Sequence, residues 1–254
     1  MASHRVVALI AVCALTASGT AAQTPSDALT PIQVAVACAP PPVLASVPMD
    51  ASRIIGSQDT VPRTVFGAPE LLVISGGTDR GLLLGQEYFV RRVLKSAGNY
   101  NDKVPHQVHT IGWLRVVAVN ATTAIASVDH ACGDILAGDY IEPFQMPQIP
   151  NGDITAVDTT REPDFSSIGR VLYGSNERRS AGPGDYMLID RGADQSVELG
   201  APYAIYRDLG IAGTPLTAIG EATVVSIGPT MALVRINRSR DAVMSGDLAI
   251  PRSK

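Results

Sequence analysis

The chain has 254 residues, with 20 Lys and Arg against 24 Asp and Glu and a formal net charge of −4. That balance gives no attraction to phosphate backbones or to an anionic membrane surface, so charge alone disfavours nucleic-acid binding. Hydrophobic residues make up 46 % of the chain but aromatics only 5 %, so the core has to be built from Val, Ile, Leu and Ala, which suits narrow β-barrels.

Residues 1–22 carry the marks of a secretory signal peptide. Arg5 supplies a positive n-region, Val6 to Ala17 an apolar core, and Thr20-Ala21-Ala22 a small-residue cleavage site. The apolar core is well short of the roughly 20 residues that span a bilayer, so no transmembrane segment is expected in the mature chain. Cys13 would be the acylated residue of a lipoprotein, but Val12 before it is larger than such sites normally accept. Cleavage removes Arg5 and leaves 19 basic against the 24 acidic residues, a net charge of about −5 that keeps the same sign of interaction.

Residues 23–52 form a Pro/Ala-rich extension centred on Pro40-Pro41-Pro42. Three prolines hold an extended geometry and cannot donate to a sheet, so this stretch is expected as a spacer or surface strap. No helix of convincing periodicity is expected in the mature chain. The extension carries Cys38, and Cys132 is the other mature cysteine. In an oxidising compartment a single remaining pair is most simply a disulfide, which would pin the strap to a loop of the first repeat. Two unrelated thiols are the alternative.

The rest of the chain contains one stretch twice. Thr110 to Pro143 slides onto Ala218 to Pro251 without a gap, matching Ile111-Gly112 to Ile219-Gly220, Gly138-Asp139 to Gly246-Asp247 and Pro143 to Pro251. Upstream, Leu72 and Ile74 match Met187 and Ile189, Gly77 and Asp79 match Gly192 and Asp194, and Leu84-Gly85 matches Leu199-Gly200. Tyr88, Val90 and Arg92 match Tyr203, Ile205 and Arg207, while Arg53-Ile54-Ile55-Gly56 resembles Ser167-Ile168-Gly169-Arg170. The first copy holds a polar insertion between Arg92 and Thr110. The fold class expected is all-β: two tandem small β-barrels, at 53–144 and 167–252, joined by a Pro-containing linker at 145–166.

Within each copy, β-branched residues alternate with a period of two. Leu114 and Val116 point inward and Trp113 and Arg115 outward; in the second copy Ala222 and Val224 alternate with Glu221 and Thr223. The parity then slips, because Val117 and Val119, like Val225 and Ile227, fall on the other face, which predicts a bulge at the same place in both. A second strand follows, with Ala124, Ala126 and Val128 inward and Ala232, Val234 and Ile236 as their counterparts. Gly77, Asp79, Gly85, Gly138 and Asp139, with Gly192, Asp194, Gly200, Gly246 and Asp247, are expected as turn residues. Asp79 and Asp194 as a glycosidase-like carboxylate pair are set aside, since matched turns in two barrels have no reason to converge on one substrate.

Catalytic candidates are few. His106, His109, His130 and Cys132 make the one constellation with zinc-type donors, but their spacing has low specificity and solvated loop histidines are the better reading. No G-x-S-x-G elbow or phosphate-cradling loop is present. Trp113 is the single tryptophan; as Glu221 takes its place in the second copy, it is expected to cover a barrel edge rather than contact a sugar. No cofactor is expected.

The pattern of LLVISGGTDRGLLLGQEYFVRR with IGWLRVVAV and AGDYIEP, and again YMLIDRGADQSVELGAPYAIYR with IGEATVVSI and SGDLAIP, resembles the small β-barrel module at the C-terminus of the flagellar assembly protein FlgT. It is also similar to modules that follow peptidoglycan-binding LysM domains in bacterial envelope proteins. The resemblance spans roughly residues 53–144 and 167–252, and no recognisable LysM segment accompanies it. It implies a non-catalytic building block of the periplasm or outer-membrane periphery. The expected function is an exported structural or protein-interaction module of the bacterial cell envelope. The alternatives are a peptidoglycan- or polysaccharide-binding protein and, behind it, a zinc-dependent enzyme.

Overall fold

The structure, a computed structural model, describes residues 29–45, 49–94, 106–151, 153–154, 160–175 and 178–253. The expected signal with Cys13, the start of the extension and most of the polar insertion lie outside the described residues. Helix α1 covers Pro31–Cys38 and β1 Leu44–Ala45. The first barrel unit contains β2 (Ile54–Ser57), β3 (Val65–Phe66), β4 (Leu71–Ser75), β5 (Glu87–Leu94), β6 (His106–Val119), β7 (Thr123–Ala131), β8 (Ile135–Leu136) and β9 (Tyr140–Pro143). The second contains β10 (Gly169–Gly174), β11 (Ser180–Ala181), β12 (Tyr186–Ile189), β13 (Pro202–Arg207), β14 (Thr217–Ile227), β15 (Ala232–Ser239), β16 (Val243–Met244) and β17 (Leu248–Pro251).

Among the described residues the protein is all-β but for α1 and short 3-10 turns. β10-β12-β15-β14-β13-β17 close into a six-stranded barrel, and β2-β4-β7-β6-β5-β9 run in the same order in the first unit. There the ring is completed by an antiparallel bridge between Arg53 and Tyr140, flanked by the Ile54 N–H donating to the Asp139 carbonyl at 2.9 Å and the Ile141 N–H to that of Ser52 at 2.9 Å. The two-stranded ribbons β3-β8 and β11-β16 also occupy corresponding places.

Alternation fills each interior. Leu114, Val116, Ala124, Ala126 and Val128 are buried in the first core, and Ala222, Val224, Ala232, Val234 and Ile236 in the second. The register shifts between Val116 and Ala118 and between Val224 and Ser226, so both units have a bulge where the parity slips. One equivalence differs from the sequence match. Ile54 pairs with Ile74 and Val171 with Ile189, so Ile54 corresponds to Val171 rather than Ile168, because strand pairing and not local similarity fixes register.

The expectation of no helix is corrected by α1. Thr30 caps it: the Gln33 N–H donates to Thr30 Oγ1 at 3.3 Å and the Thr30 N–H to Gln33 Oε1 at 2.9 Å, with Pro31 in the first turn. That reciprocal capping box and an N-terminal proline start a short helix that its length alone would leave marginal. The surface strap is corrected too, since the helix packs between the barrels. Val36 and Ala39 cluster with Leu188, Val225 and Leu233 of the second, while Ala37, Val34 and Cys38 cluster with Phe89, Trp113 and Phe144 of the first. Apart from Gln33 the helix is apolar, and its last turn is the part buried against the barrels. No helix among the described residues is long and apolar enough to cross a membrane.

Candidate functional site

The junction around α1 gathers more of the distinctive side chains than either barrel interior. On the first barrel, Phe89, Trp113 and Phe144 form an outward aromatic platform. Phe89 lies 4.6 Å from Phe144 and 6.5 Å edge-on to Trp113, and His130 stacks on Trp113 at 4.4 Å. Trp113 is only 3 % exposed, because the helix and the disulfide lie on it. At the corresponding positions of the second barrel, Glu221 and Arg252 form an ion pair at 2.6 Å. The same outer face is therefore a hydrophobic seat on one barrel and an ionic one on the other.

Cys38 at the end of α1 is joined to Cys132, with Cα atoms 5.5 Å apart and 94 residues between them. The expected disulfide is present, and it bolts the helix to the end of β7. Cys38, His130 and Cys132 bring their donor atoms within 4.8 Å of one another. With the two sulfurs bonded to each other, neither is the thiolate that zinc coordination requires. His109 sits elsewhere: it is buried, and its ring stacks on Tyr173 of the second barrel at 6.2 Å. The four-residue zinc cluster considered from the sequence is thus split, and the His106 side chain lies outside the described ones.

Beside the helix runs a groove of about 370 Å³ between strap, linker and both barrels, lined by Val36, Pro42, Phe89, Arg91, Met146 and Leu199 among others. Arg91 is its buried charge. Its Nε donates to Glu142 Oε1 at 2.6 Å, its guanidinium also donates to Thr110 Oγ1, and it lies 4.1 Å over the Phe89 ring. Thr110 Oγ1 in turn donates to the Ala39 carbonyl at 3.1 Å. Burial pushes Arg91 below its ordinary value while Glu142 opposes the shift; the group stays cationic, as arginine does. This chain of contacts ties the strap's backbone to the first barrel. Among the described lining residues Ser226 is the one hydroxyl, with no histidine or carboxylate beside it in that lining.

The turn residues are placed one by one in matched pairs. Gly77 and Gly192 precede short 3-10 turns at Thr78–Arg80 and Ala193–Gln195. A side chain at Gly77 would meet the Asn120 carbonyl at 2.0 Å, and one at Gly192 the Gly228 carbonyl at 2.5 Å, so glycine is needed where these turns dock on the next hairpin. Asp79 Oδ1 accepts from the Gly77 N–H at 2.9 Å, whereas Gln195 does that work for Gly192 at 2.8 Å; Asp79 and Asp194 both donate their own N–H to the next hairpin, to the Ala121 carbonyl at 3.0 Å and the Pro229 carbonyl at 2.9 Å. Gly85, Gly200, Gly138 and Gly246 turn the chain with φ of 78°, 78°, 97° and 96°.

Asp139 and Asp247 do more than close turns. Each accepts both arms of an arginine: Arg92 Nε and Nη2 reach Asp139 at 2.7 Å each, and Arg207 Nε and Nη2 reach Asp247 at 2.8 Å each. Each carboxylate also accepts a backbone N–H, from Leu136 at 2.8 Å or Met244 at 2.7 Å. The Arg near the end of one strand and the Asp of the closing turn are both legible in the sequence, but their pairing is not.

Tyr173 gives a pH-dependent signature at the junction. Burial pushes its phenol up to about 12, and its hydroxyl finds no hydrogen-bond partner among the described residues. Because the folded value is raised, the unfolded phenol ionises first, so its contribution to stability is intact below pH ~10 and lost as pH rises toward ~12. Tyr173→Phe is expected to fall within about 1 kcal/mol of the parent at pH 7 and to retain more stability than the parent in the alkaline window. Urea melts of the two proteins at pH 7 and in the alkaline range check both outcomes.

Compared with family models and with curated proteins, the chain matches none.

Proposed function

We propose that the protein is an exported, non-catalytic structural or interaction module of the bacterial cell envelope, working in the periplasm or at the outer-membrane periphery. The observation that carries this reading is the Cys38–Cys132 bond holding α1 between two barrels. A disulfide that bolts the structure together belongs to an oxidising compartment, in keeping with the signal-like residues 1–22. The wedge supports the interaction half of the reading: it makes a two-barrel body of fixed geometry, which suits a part that is gripped by others. The likeness of each unit's strand and turn pattern to the FlgT and LysM-linked modules points the same way.

The test is fractionation of cells producing the full chain, followed by thiol titration of the denatured, unreduced protein. The expected result is an envelope or periplasmic protein, shortened by removal of its signal and holding no free cysteine. Recovery from the cytosol at full length with free Cys38 and Cys132 would overturn the proposal. Cosedimentation of the purified protein with peptidoglycan would replace it with the polysaccharide-binding alternative.

A further inference from the structure

The two barrels present the same outer face very differently. On the second, Leu188 of β12 lies opposite Leu233 of β15, and the bulged Val225 of β14 joins them. All three are at most 1 % exposed, because Val36 of α1 and Ala39 just after it, with Ile149 and Ile154 of the linker, cover them. The corresponding row on the first barrel is equally apolar. Val73 of β4 lies opposite Ile125 of β7, the bulged Val117 of β6 continues the row, and Ile55 of β2 and Leu71 extend it. Nothing described covers it. Ile55 is 56 % exposed, Val117 44 % and Leu71 42 %, and Val73 and Ile125 are half-buried.

Strand alternation explains why this row faces outward, since Leu72 and Ile74 between its members fill the core. It does not explain why the row is apolar, because an outward face in water is ordinarily polar. The second barrel supplies the explanation: on this fold, the face is a seat for a short apolar helix. We propose that the Ile55–Leu71–Val73–Val117–Ile125 face of the first barrel is a docking site for a short apolar helix contributed by another protein chain. The helix would present a β-branched residue from its last turn with a small residue just beyond its end, as Val36 and Ala39 do on the second barrel.

A second copy of this chain is the less fitting occupant. Three half-exposed side chains fall well short of the roughly 800 Å² per partner that stable dimers bury, whereas a helix of two turns needs only such a row. A second copy's own α1 is held by its disulfide and by both of its barrels. The outer turn also differs between the units. Pro42 approaches Gly228 so closely that a side chain there would lie 1.7 Å from its carbonyl oxygen, and Asn120 stands at the corresponding place on the first barrel. The occupant is therefore the helical part of such a segment, without the proline run pressed onto that turn.

This proposal deepens the interaction reading by naming a surface and a partner's chemistry. Its test uses purified full-length mature protein, so its failure leaves the outcome of the fractionation untouched. The probe is a capped peptide of residues 29–39 with Cys38→Ser, titrated while methyl signals of Ile55, Val73, Val117 and Ile125 are followed by NMR. The expected result is saturable shifts confined to this face, weakened at least tenfold by Val117→Asp and by Leu71→Lys, with neither variant lowering Tm. Two variants are used because Val117 sits at a bulge. Absence of shifts at millimolar peptide would overturn the proposal, as would shifts that persist in both variants. Concentration-dependent dimers abolished by Leu71→Lys would overturn it in favour of self-association.

Discussion

Replacing Cys38 and Cys132 by serine is expected to lower the stability of the protein by about 4–5 kcal/mol. The estimate follows from the 94-residue separation of the two cysteines and the chain entropy that a closed loop of that length removes from the unfolded state. For a chain of this size, that corresponds to a fall in Tm on the order of 10 °C or more. The loss should be visible locally before global unfolding. Trp113 is the single tryptophan and is buried beneath α1 and the disulfide, so release of the helix would expose it to water. A red shift of tryptophan emission at temperatures where circular dichroism still shows intact strands is the expected sequence of events. Coincident loss of both signals with an unchanged Tm would mean that the helix is held by its apolar contacts alone.

The second large effect concerns the arginine–aspartate clamps. Asp247→Ala is expected to cost about 2–3 kcal/mol, less than for a fully buried pair, because the part-exposed Arg207 keeps Asp241 at 3.1 Å and the Ala242 carbonyl at 2.7 Å. Asp247 is 5 % exposed and holds both arms of Arg207 and the Met244 N–H, so its loss leaves three donors without their acceptor. Asp139→Ala is expected to behave alike, since Asp139 is 4 % exposed and holds Arg92 and the Leu136 N–H. The double variant Arg207→Ala with Asp247→Ala should cost less than the sum of the single ones, because the interaction the two side chains share is lost only once. Denaturant melts of the four proteins measure this coupling. Additive single effects, each below about 1 kcal/mol, would show that the clamps behave as surface ion pairs.

Those clamps mark where local reading stops. Arg92 and Asp139 lie 47 residues apart, and each was recognisable from its place in a repeated pattern. What brings them together is the pairing of β5 with β9, in which Arg91 meets Tyr140, and that adjacency is a property of the closed ring. The helix is a different case. Thr30, Pro31 and Gln33 spell a capping box with an N-terminal proline, a legible start signal, but the composition of the extension and the proline run after it pointed to an extended strap. The segment's contacts with both barrels decided the matter. The histidines were also beyond reach: His109 and His130 differ in sequence as candidate ligands might, yet one ring stacks on Tyr173 and the other on Trp113.

The sequence by itself determined the all-β class, the inward rows of small aliphatic residues, the slips at Val117 and Val225, and the cysteine pair. Each of these is set by short-range rules: side-chain alternation along a strand, the backbone demands of turns, and the count of two cysteines outside the signal-like residues 1–22. The tertiary structure alone decided which outward rows are covered. Leu188, Leu233 and Val225 are sealed by α1 and the linker, while Val73, Ile125 and Val117 are open, although the two rows read alike in the sequence. Alternation fixes the face on which a residue lies, but its burial depends on whether another segment, distant in the chain, comes to rest there.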